Sequence, residues 1–338
     1  MRFKEEKLVN LNEIAELAGV NVSTVSRALK DSPSISSDTK EKIMQIAQEN
    51  GYVVKERQTR RKTIGVIIPE TVSHYYAKLA ARLENKIYSE QYHMIISITD
   101  FDLTKLMQAM NMMIKYGVEG IVVDLSASRG DRRDAIQAIA KCEIPLVLVS
   151  ERDVACDRDC VYLDYQPGVA SVIQHLAELG HRKISYVGDE LSHARCEAFR
   201  HSCDEIGCEV GEIMEGPERF EKGGYVQMKR LLAIDHAPRA ILASYDQVAI
   251  GAIKALHEAG LHVPEDVSIV GFDNIDIDDY LLCPLTSVTN PVDKIAEIAV
   301  KILLNKIDHP DDMTVQHVAL QPHLVVRETT GVNKRHGK

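Results

Sequence analysis

The chain has 338 residues, of which 45% are hydrophobic, as is ordinary for a globular protein with more than one domain. No apolar run approaches the roughly 18 residues that a membrane helix needs, and the charged N-terminus lacks a signal-peptide core. We therefore expect a cytoplasmic protein without a membrane partner. The formal net charge of −10 by itself argues against binding to nucleic acid.

The distribution of charge reverses that impression. Residues 1–62 contain twelve Lys/Arg and nine Asp/Glu, a balance of +3, whereas the rest of the chain has a balance of −13. Phosphate binding depends on the local field at the contact surface rather than on the total charge. The N-terminal segment is therefore a candidate for contact with nucleic acid.

Two short helices separated by a glycine turn are predicted in this segment. The first has apolar residues with i, i+3, i+4, i+7 spacing at Leu11, Ile14, Ala15 and Ala18. It is capped by Asn10 or Asn12 and ends at Gly19. The second covers residues 21–29, with Asn21 as its N-cap and with Val25, Ala28 and Leu29 facing inward. Such a pair is the signature of a helix-turn-helix, whose second helix enters the major groove.

A third helix is predicted over residues 36–50, where Ile43, Ile46 and Ala47 would pack against the pair. Gly51 would end it. A polar, basic linker follows at residues 53–62.

Beyond the linker, short apolar runs alternate with helical segments. The runs, read as strands, are residues 63–69, 94–98, 120–123, 145–149, 184–187, 240–243 and 267–271. This alternation favours parallel sheets covered by helices on both faces. For about 270 residues, two such sheets fit typical domain sizes better than one.

The sequence resembles the LacI/GalR family of bacterial repressors along nearly its whole length. The matching strings are EIA at 13–15, AGV at 18–20, STVSR at 23–27, GY at 51–52, LGHRKI at 179–184, VPEDVSIVGFD at 263–273, PLTSV at 284–288 and LVVRE at 324–328. The resemblance implies a small all-α helix-turn-helix headpiece followed by a two-lobed α/β core of the type I periplasmic-binding-protein kind.

The resemblance also implies domain boundaries. The headpiece would cover 1–52, the linker 53–62, the core 63–330 and a tail 331–338. Lobe one would hold about 63–162 and 291–321, and lobe two about 163–290 and 322–330. The chain would cross between lobes near residues 162–164, 289–291 and 321–323. Ligands of open α/β sheets bind beyond the carboxyl ends of strands, so the cleft between the lobes is the expected pocket.

By the same match, the second helix would read double-stranded operator DNA. Val22 and Ser23 would face base edges with Arg27 one turn later, since Arg can hold guanine and Val can meet a thymine methyl. Asn21, Thr24 and Ser26 would contact phosphates. Without the family match, the alternative is that Ser26 and Arg27 only solvate an exposed helix face.

The linker departs from the family, whose longer hinge carries a leucine that wedges into the minor groove. No leucine occurs at residues 53–63. Basic side chains there could still follow the phosphates; they are Lys55, Arg57, Arg60, Arg61 and Lys62. A flexible charged tether is the equal alternative.

For a small-molecule effector, the resemblance points to ten positions. They are His74, Tyr75, Asp100, Ser150, Arg152, Arg195, Phe220, Tyr245, Asp246 and Asp273. Asp and Arg could divide the hydroxyls of a sugar while an aromatic ring covers its apolar face. Helix N-capping is the alternative for each acid. The effector would be a sugar, a sugar acid or a sugar phosphate, and Arg195 with Arg152 nearby would suit one of the two acidic ligands.

These features together predict a ligand-responsive regulator of carbohydrate-use genes, acting as a homodimer because twofold pairing matches palindromic operators. No enzyme motif, paired Cys/His zinc set or cofactor fingerprint occurs in the sequence. We therefore expect neither catalysis nor a metal or cofactor. The alternatives are a sugar-binding protein without a regulatory role and a sugar-processing enzyme.

Overall fold

The structure is a computed structural model that describes residues 10–29, 32, 34–50, 52, 62–126, 133–234 and 238–333. The chain divides into two compact units, Met1–Lys62 and Thr63–Lys338, each with a hydrophobic core of its own. The first unit is the headpiece with its linker, and the second is the core.

The headpiece contains three helices: α1 (Leu11–Ala18), α2 (Val22–Leu29) and α3 (Ser37–Glu49). Of the two candidate caps, Asn10 begins α1: its side chain accepts from the amides of Asn12 and Glu13, and Glu13 returns a bond to the Asn10 amide. This reciprocal capping box satisfies N–H groups that a helix start otherwise leaves unpaired. Gly19 ends α1 in the left-handed conformation, which glycine adopts without strain.

The helices enclose a small apolar core formed by Ile14, Ala15, Ala18, Val25, Ala28, Ile43 and Ala47. These are the faces that the apolar spacing predicted. Ile46 and Leu29 lie at the edge of this core and are only partly buried.

In the core unit, strands alternate with helices. The strands are β1 (Thr63–Ile68), β2 (His93–Ile98), β3 (Gly120–Asp124), β4 (Leu146–Ser150), β5 (Asp159–Leu163), β6 (Lys183–Val187), β7 (Glu209–Met214), β8 (Ala240–Ala243), β9 (Ser268–Phe272), β10 (Ser287–Thr289), β11 (His317–Leu320) and β12 (His323–Val325). The helices are α4 (His74–Ser89), α5 (Leu103–Tyr116), α6 (Arg133–Ala140), α7 (Tyr165–Glu178), α8 (His193–Ile206), α9 (Phe220–Ile234), α10 (Asp246–Glu258) and α11 (Val292–Asp308). A 3-10 helix covers Asp276–Tyr280.

The described strands form two sheets. Lobe one carries the order β11-β5-β4-β3-β1-β2, and lobe two carries β12-β10-β9-β8-β6-β7. Neighbours pair in parallel except β12, which runs antiparallel to β10. The parallel pairing expected from the sequence therefore holds for every described strand pair except this one. The two-sheet α/β architecture is confirmed.

The chain passes between the sheets after β5, after β10 and between β11 and β12, at the places named from the sequence. Several strands were not named there. Three of them, β10, β11 and β12, have only three or four residues, and β7 lies at a sheet edge with a mixed polar pattern. Short or edge strands carry little apolar periodicity.

Two glycines let α9 and α10 touch backbone to backbone. A Cβ at Gly224 would lie 2.0 Å from the carbonyl oxygen of Val248, and one at Gly251 would lie 1.9 Å from that of Glu221. Real Cβ atoms do not approach so closely, so each contact requires glycine. The two helices therefore pack as a single layer on lobe two.

Candidate DNA-reading face and ligand cleft

The helix α2 presents one polar face. Val25 and Ala28 are buried, whereas Val22, Ser23 and Arg27 are exposed, as is Asn21 just before the helix. The carbonyl of Asn21 accepts from the amides of Thr24 and Val25, which fixes the first turn. Thr24 and Ser26 are half-buried at the border of the face. An Arg and a Val exposed on the same face can contact a base edge and a thymine methyl.

Of the linker cations, only Lys62 belongs to the described residues, and it is exposed. Lys55, Arg57, Arg60 and Arg61 lie outside them. Their proposed contacts with phosphates stay a prediction.

The cleft between the lobes encloses a cavity at the carboxyl ends of the strands. Lobe one lines it with Ser73, Tyr75, Tyr76, Phe101 and Glu151, and lobe two lines it with Leu191, Arg195, Arg219, Tyr245 and Asp273. The volume is only about 20 Å³, which is room for little more than one water molecule. The lobes are therefore closed upon each other in this structure.

Arg195, on α8, is the central cation of the cleft. Its guanidinium donates to the carbonyl of Ser244 at 2.8 Å and to the hydroxyl of Tyr165 at 3.3 Å, and its Nη2 lies 3.5 Å from Oδ1 of Asp273. The rings of Tyr165, Tyr245 and Phe272 surround it at 4.5–5.0 Å. Its Nε is buried and has no hydrogen-bond partner among the described residues. The Nε–H donor is thus not satisfied by the described part of the protein.

Asp273 follows β9 directly, with φ of 103°. Asp tolerates positive φ better than most residues, and here it turns the chain as it leaves the strand. The carboxylate accepts from Nδ2 of Asn290 at 2.8 Å. Burial raises the pKa of Asp273 to about 6, against the opposing effect of Arg195. A buried carboxylate with a cation beside it can accept hydrogen bonds from ligand hydroxyls.

A second guanidinium in the cleft was missed by the sequence reasoning. Arg219, the residue before α9, donates from both Nη atoms to the carboxylate of Glu70 at 2.9 Å each. Its Nε lies 3.5 Å from Oδ2 of Asp189. Glu70 and Asp189 follow β1 and β6, so both obey the strand-end rule that could have found them. Nothing local in the sequence pairs Arg219 with either.

The structure gives Asp246 an internal role. It is fully buried at the start of α10, accepts from Ser287 Oγ and from the amide of Ile275, and does not line the cavity. Its pKa is raised well above the ordinary value because it is buried and lies near Asp278. Asp246 therefore joins α10 to β10 and to the chain that leaves β9.

Other predicted residues lie around the cleft rather than in the cavity wall. Phe220 supports Arg219, whose guanidinium is 4.3 Å from its ring. Asp100 is largely exposed and pairs with Lys105, while its neighbour Phe101 lines the cavity. His74 begins α4 and is half-buried. Tyr75, Arg195, Tyr245 and Asp273 are the predicted residues that the structure brings together in the wall.

Ser150 and Arg152 flank that wall. Ser150 is buried, and its hydroxyl makes no hydrogen bond with the described residues. Arg152 pairs with Glu197 of lobe two at 3.2 Å in a wider groove of about 500 Å³ beside the crossings. Both side chains of this pair are about half exposed.

Among the described residues that line the cavity or contact its arginines, carboxyls outnumber guanidiniums. Arg195 and Arg219 lie with Glu70, Glu151, Asp189 and Asp273. An anionic ligand would lie close to these carboxyls, whereas a neutral polyol would meet donors, acceptors and aromatic faces. The described residues contain no group of three potential metal ligands. Nor, over the same ranges, is there a helix with the length and apolarity of a membrane span.

Comparison with known families matches both units. Residues 10–54 match the model described as bacterial regulatory proteins of the lacI family, and residues 173–330 match a periplasmic binding protein-like domain. A transcriptional repressor named PurR from Mannheimia succiniciproducens is 28% identical over 334 residues, which covers 95% of this chain and 98% of that protein.

Solved structures give the same fold. A Lac repressor dimer bound to operator and the anti-inducer ONPF has a TM-score of 0.75 and 23% identity, covering 96% of this chain and 100% of that one. A LacI-family regulator from Enterococcus faecium with bound ribose has a TM-score of 0.70 and 27% identity, covering 81% and 100%. The match to the Lac repressor chain thus extends over nearly the whole of both chains.

Proposed function

Because the chain belongs to the LacI/GalR family of bacterial transcriptional regulators, we propose that it represses carbohydrate-use genes under the control of a small sugar-like effector. The observation that carries this proposal is the buried Arg195–Asp273 pair, which lies on the cleft side of lobe two with the Nε–H of its guanidinium unsatisfied among the described residues. The protein would act in the cytoplasm by binding operator DNA.

The DNA-reading role rests on the exposed face of α2. Arg27 and Val22 point away from the headpiece core, so their side chains are free to enter a major groove. Ser23 lies between them, and Asn21, Thr24 and Ser26 border the face where phosphates would pass. The linker cations add attraction that is independent of sequence.

The effector is proposed to be a neutral sugar. Arg152, which could have suited an acidic ligand, is engaged with Glu197, and Arg195 is paired with Asp273. The excess of carboxyl groups around the cavity disfavours a sugar acid or a sugar phosphate. The ring of Tyr75 from lobe one and that of Tyr245 from lobe two could cover the apolar faces of a sugar. A relative with bound ribose supports this ligand class.

A homodimer is the proposed working form. The edge strand β2 exposes Ile95, Ile96 and Ile98, and lobe two exposes Tyr280 and Leu282 near its 3-10 helix. An exposed apolar sheet edge is a surface that proteins normally cover. Two copies would present two headpieces to the half-sites of a palindrome. The solved Lac repressor relative is a dimer on its operator.

Control would come from opening and closing of the lobes. An effector that binds one arrangement of the lobes better than the other shifts their populations. A change at the dimer surface would then alter how the two headpieces engage one operator. A coupling free energy of about 1–3 kcal/mol is enough for a regulatory response.

The experiment selects a binding site for the full-length protein from random DNA and screens neutral sugars, sugar acids and sugar phosphates by thermal shift. We expect a palindromic site and a neutral sugar that raises the melting temperature. That sugar should change operator affinity by about fivefold or more. Absence of any sequence preference, or a stabilising sugar that leaves DNA affinity unchanged, would contradict the proposal.

A further inference from the structure

The pair formed by Glu70 and Arg219 joins the two lobes across the cleft. Glu70 leaves β1 of lobe one, and Arg219 precedes α9 of lobe two. Both Nη atoms meet both carboxylate oxygens at 2.9 Å, so the contact is bidentate. Arginine and carboxylate form their strongest and most directional ion pairs in this geometry.

The surroundings make the pair costly to separate. The side chains of Glu70 and Arg219 are 9% and 21% exposed, and Asp189 adds a second carboxylate that is itself 1% exposed. The guanidinium lies over the rings of Phe220 and, from the opposite lobe, Phe101, at 4.3 and 5.4 Å. Pulling the lobes apart would remove Glu70 and Phe101 from Arg219. Water would have to replace both contacts.

The cavity beside this pair cannot hold a ligand as it is. Its volume of about 20 Å³ is far below the roughly 300–1,000 Å³ of small-molecule pockets. Arg219 lines the cavity. Entry into this cavity of a ligand larger than water therefore requires the lobes to separate, and that separation breaks the ion pair.

We propose that the Glu70–Arg219 pair is an internal latch that holds the ligand-free core closed. The effector then competes with an ion pair supplied by the protein itself. The apparent affinity is lowered by the small fraction of molecules whose latch is open. Closure by the latch needs no ligand, and only its consequence for effector affinity rests on the function proposed above.

The test is hydroxyl-radical footprinting of the full-length protein without ligand, comparing Glu70→Gln, Arg219→Gln and the double variant with the unmodified chain. The rings of Tyr75, Phe101 and Tyr245 line the closed cavity and report its opening. Phe199, at 0% exposure, reports unfolding. Arg82→Gln is the matched control, since it breaks the exposed Arg82–Asp293 pair inside lobe one.

We expect oxidation of Phe101 and Tyr245 to rise about threefold or more in each single variant. The double variant should add little, because both changes remove the same contact. Arg82→Gln should match the unmodified chain, as exposed pairs contribute little. In Glu70→Gln, Arg219 keeps Asp189 as a neighbouring carboxylate, so no buried charge is left unpaired. We therefore expect this variant to fold most reliably of the three.

Unchanged oxidation of the cavity rings in both single variants would overturn the latch. Oxidation of Phe199 in both would also overturn it, because the pair would then serve folding rather than closure. Neither outcome depends on finding an effector or an operator. With an effector in hand, Glu70→Gln, whose residue does not line the cavity, should bind it faster and more tightly.

Discussion

The guanidinium of Arg195 lies 3.5 Å from the carboxylate of Asp273, and the two side chains are only 5% and 8% exposed. The cation comes from α8 and the anion from the end of β9, so the pair joins distant parts of lobe two at the cleft. Three aromatic rings exclude water from the guanidinium. A charged pair shielded from water in this way interacts more strongly with its hydrogen-bond partners than it would in solvent.

Arg195→Ala and Asp273→Asn should each shift the response to much higher effector concentration while leaving operator binding intact. A lost charge-assisted contact costs about 1.5–3 kcal/mol, which is roughly a ten- to hundredfold loss of effector affinity. Operator affinity with and without the sugar, together with a melting curve, measures this. Normal effector sensitivity in both variants would place the ligand elsewhere.

Asp273 should also make stability depend on pH. Burial raises its pKa from 3.8 to about 6, so the folded state binds more protons than the unfolded state between these values. Its contribution to stability therefore falls as pH rises from about 4 to about 6, by roughly 2–3 kcal/mol. Asp273→Asn lacks this titration. Relative to the unmodified protein, the variant should gain stability over that window, as measured by denaturant unfolding at pH 4, 5 and 6.5. A constant difference would show that the carboxyl is not perturbed.

Arg27→Ala and Lys62→Ala should weaken DNA binding in different ways. Arg27 is exposed on the face of α2, and its loss should cost about 1–3 kcal/mol on the specific site only. Lys62→Ala should weaken all sequences nearly equally and reduce the salt slope by about one. Titrations on specific and random duplexes at several salt concentrations separate these effects. An equal loss on both duplexes for Arg27→Ala would exclude base reading.

Leu282→Asp should disrupt the proposed dimer. Leu282 is fully exposed in the single chain, and a charge there would be buried unpaired at an interface. Sedimentation should show a shift to monomer, and affinity for a palindromic site should fall while the melting curve of the core stays cooperative. Met313→Asp, at another exposed apolar position, is the control. A dimer unaffected by Leu282→Asp would move the interface away from this segment.

The headpiece was predictable from sequence because its signals are local. The spacing of Ile14, Ala15 and Ala18, the cap at Asn10 and the turn at Gly19 all lie within ten residues of one another. The strands of the core were found where apolar runs are long and buried, as in β1 and β3. They were missed where a strand has only three or four residues or lies at an edge, and also at β5, whose five residues mix polar and apolar side chains.

The cleft was only partly predictable because its contacts are not local. Arg195 and Asp273 were found through matched motifs, and the structure places them together. Glu70 and Arg219 are 149 residues apart in the chain, and no short pattern joins them. Asp246 follows a strand as a ligand-binding acid would, yet it turns inward to Ser287 and to the amide of Ile275. Position at a strand end does not reveal which way a carboxylate points.

The glycine contacts between α9 and α10 set a limit on how lobe two can evolve. Arg219 immediately precedes α9, and Tyr245 immediately precedes α10, so the spacing of these helices sets the width of one wall of the cleft. A single methyl group at Gly224 or Gly251 would push the helices apart, even though neither glycine lines the cavity. Ligand preference can therefore change through substitution of the aromatic and charged side chains that line the cavity. The two glycines that fix the spacing of α9 and α10 cannot be replaced without moving these helices.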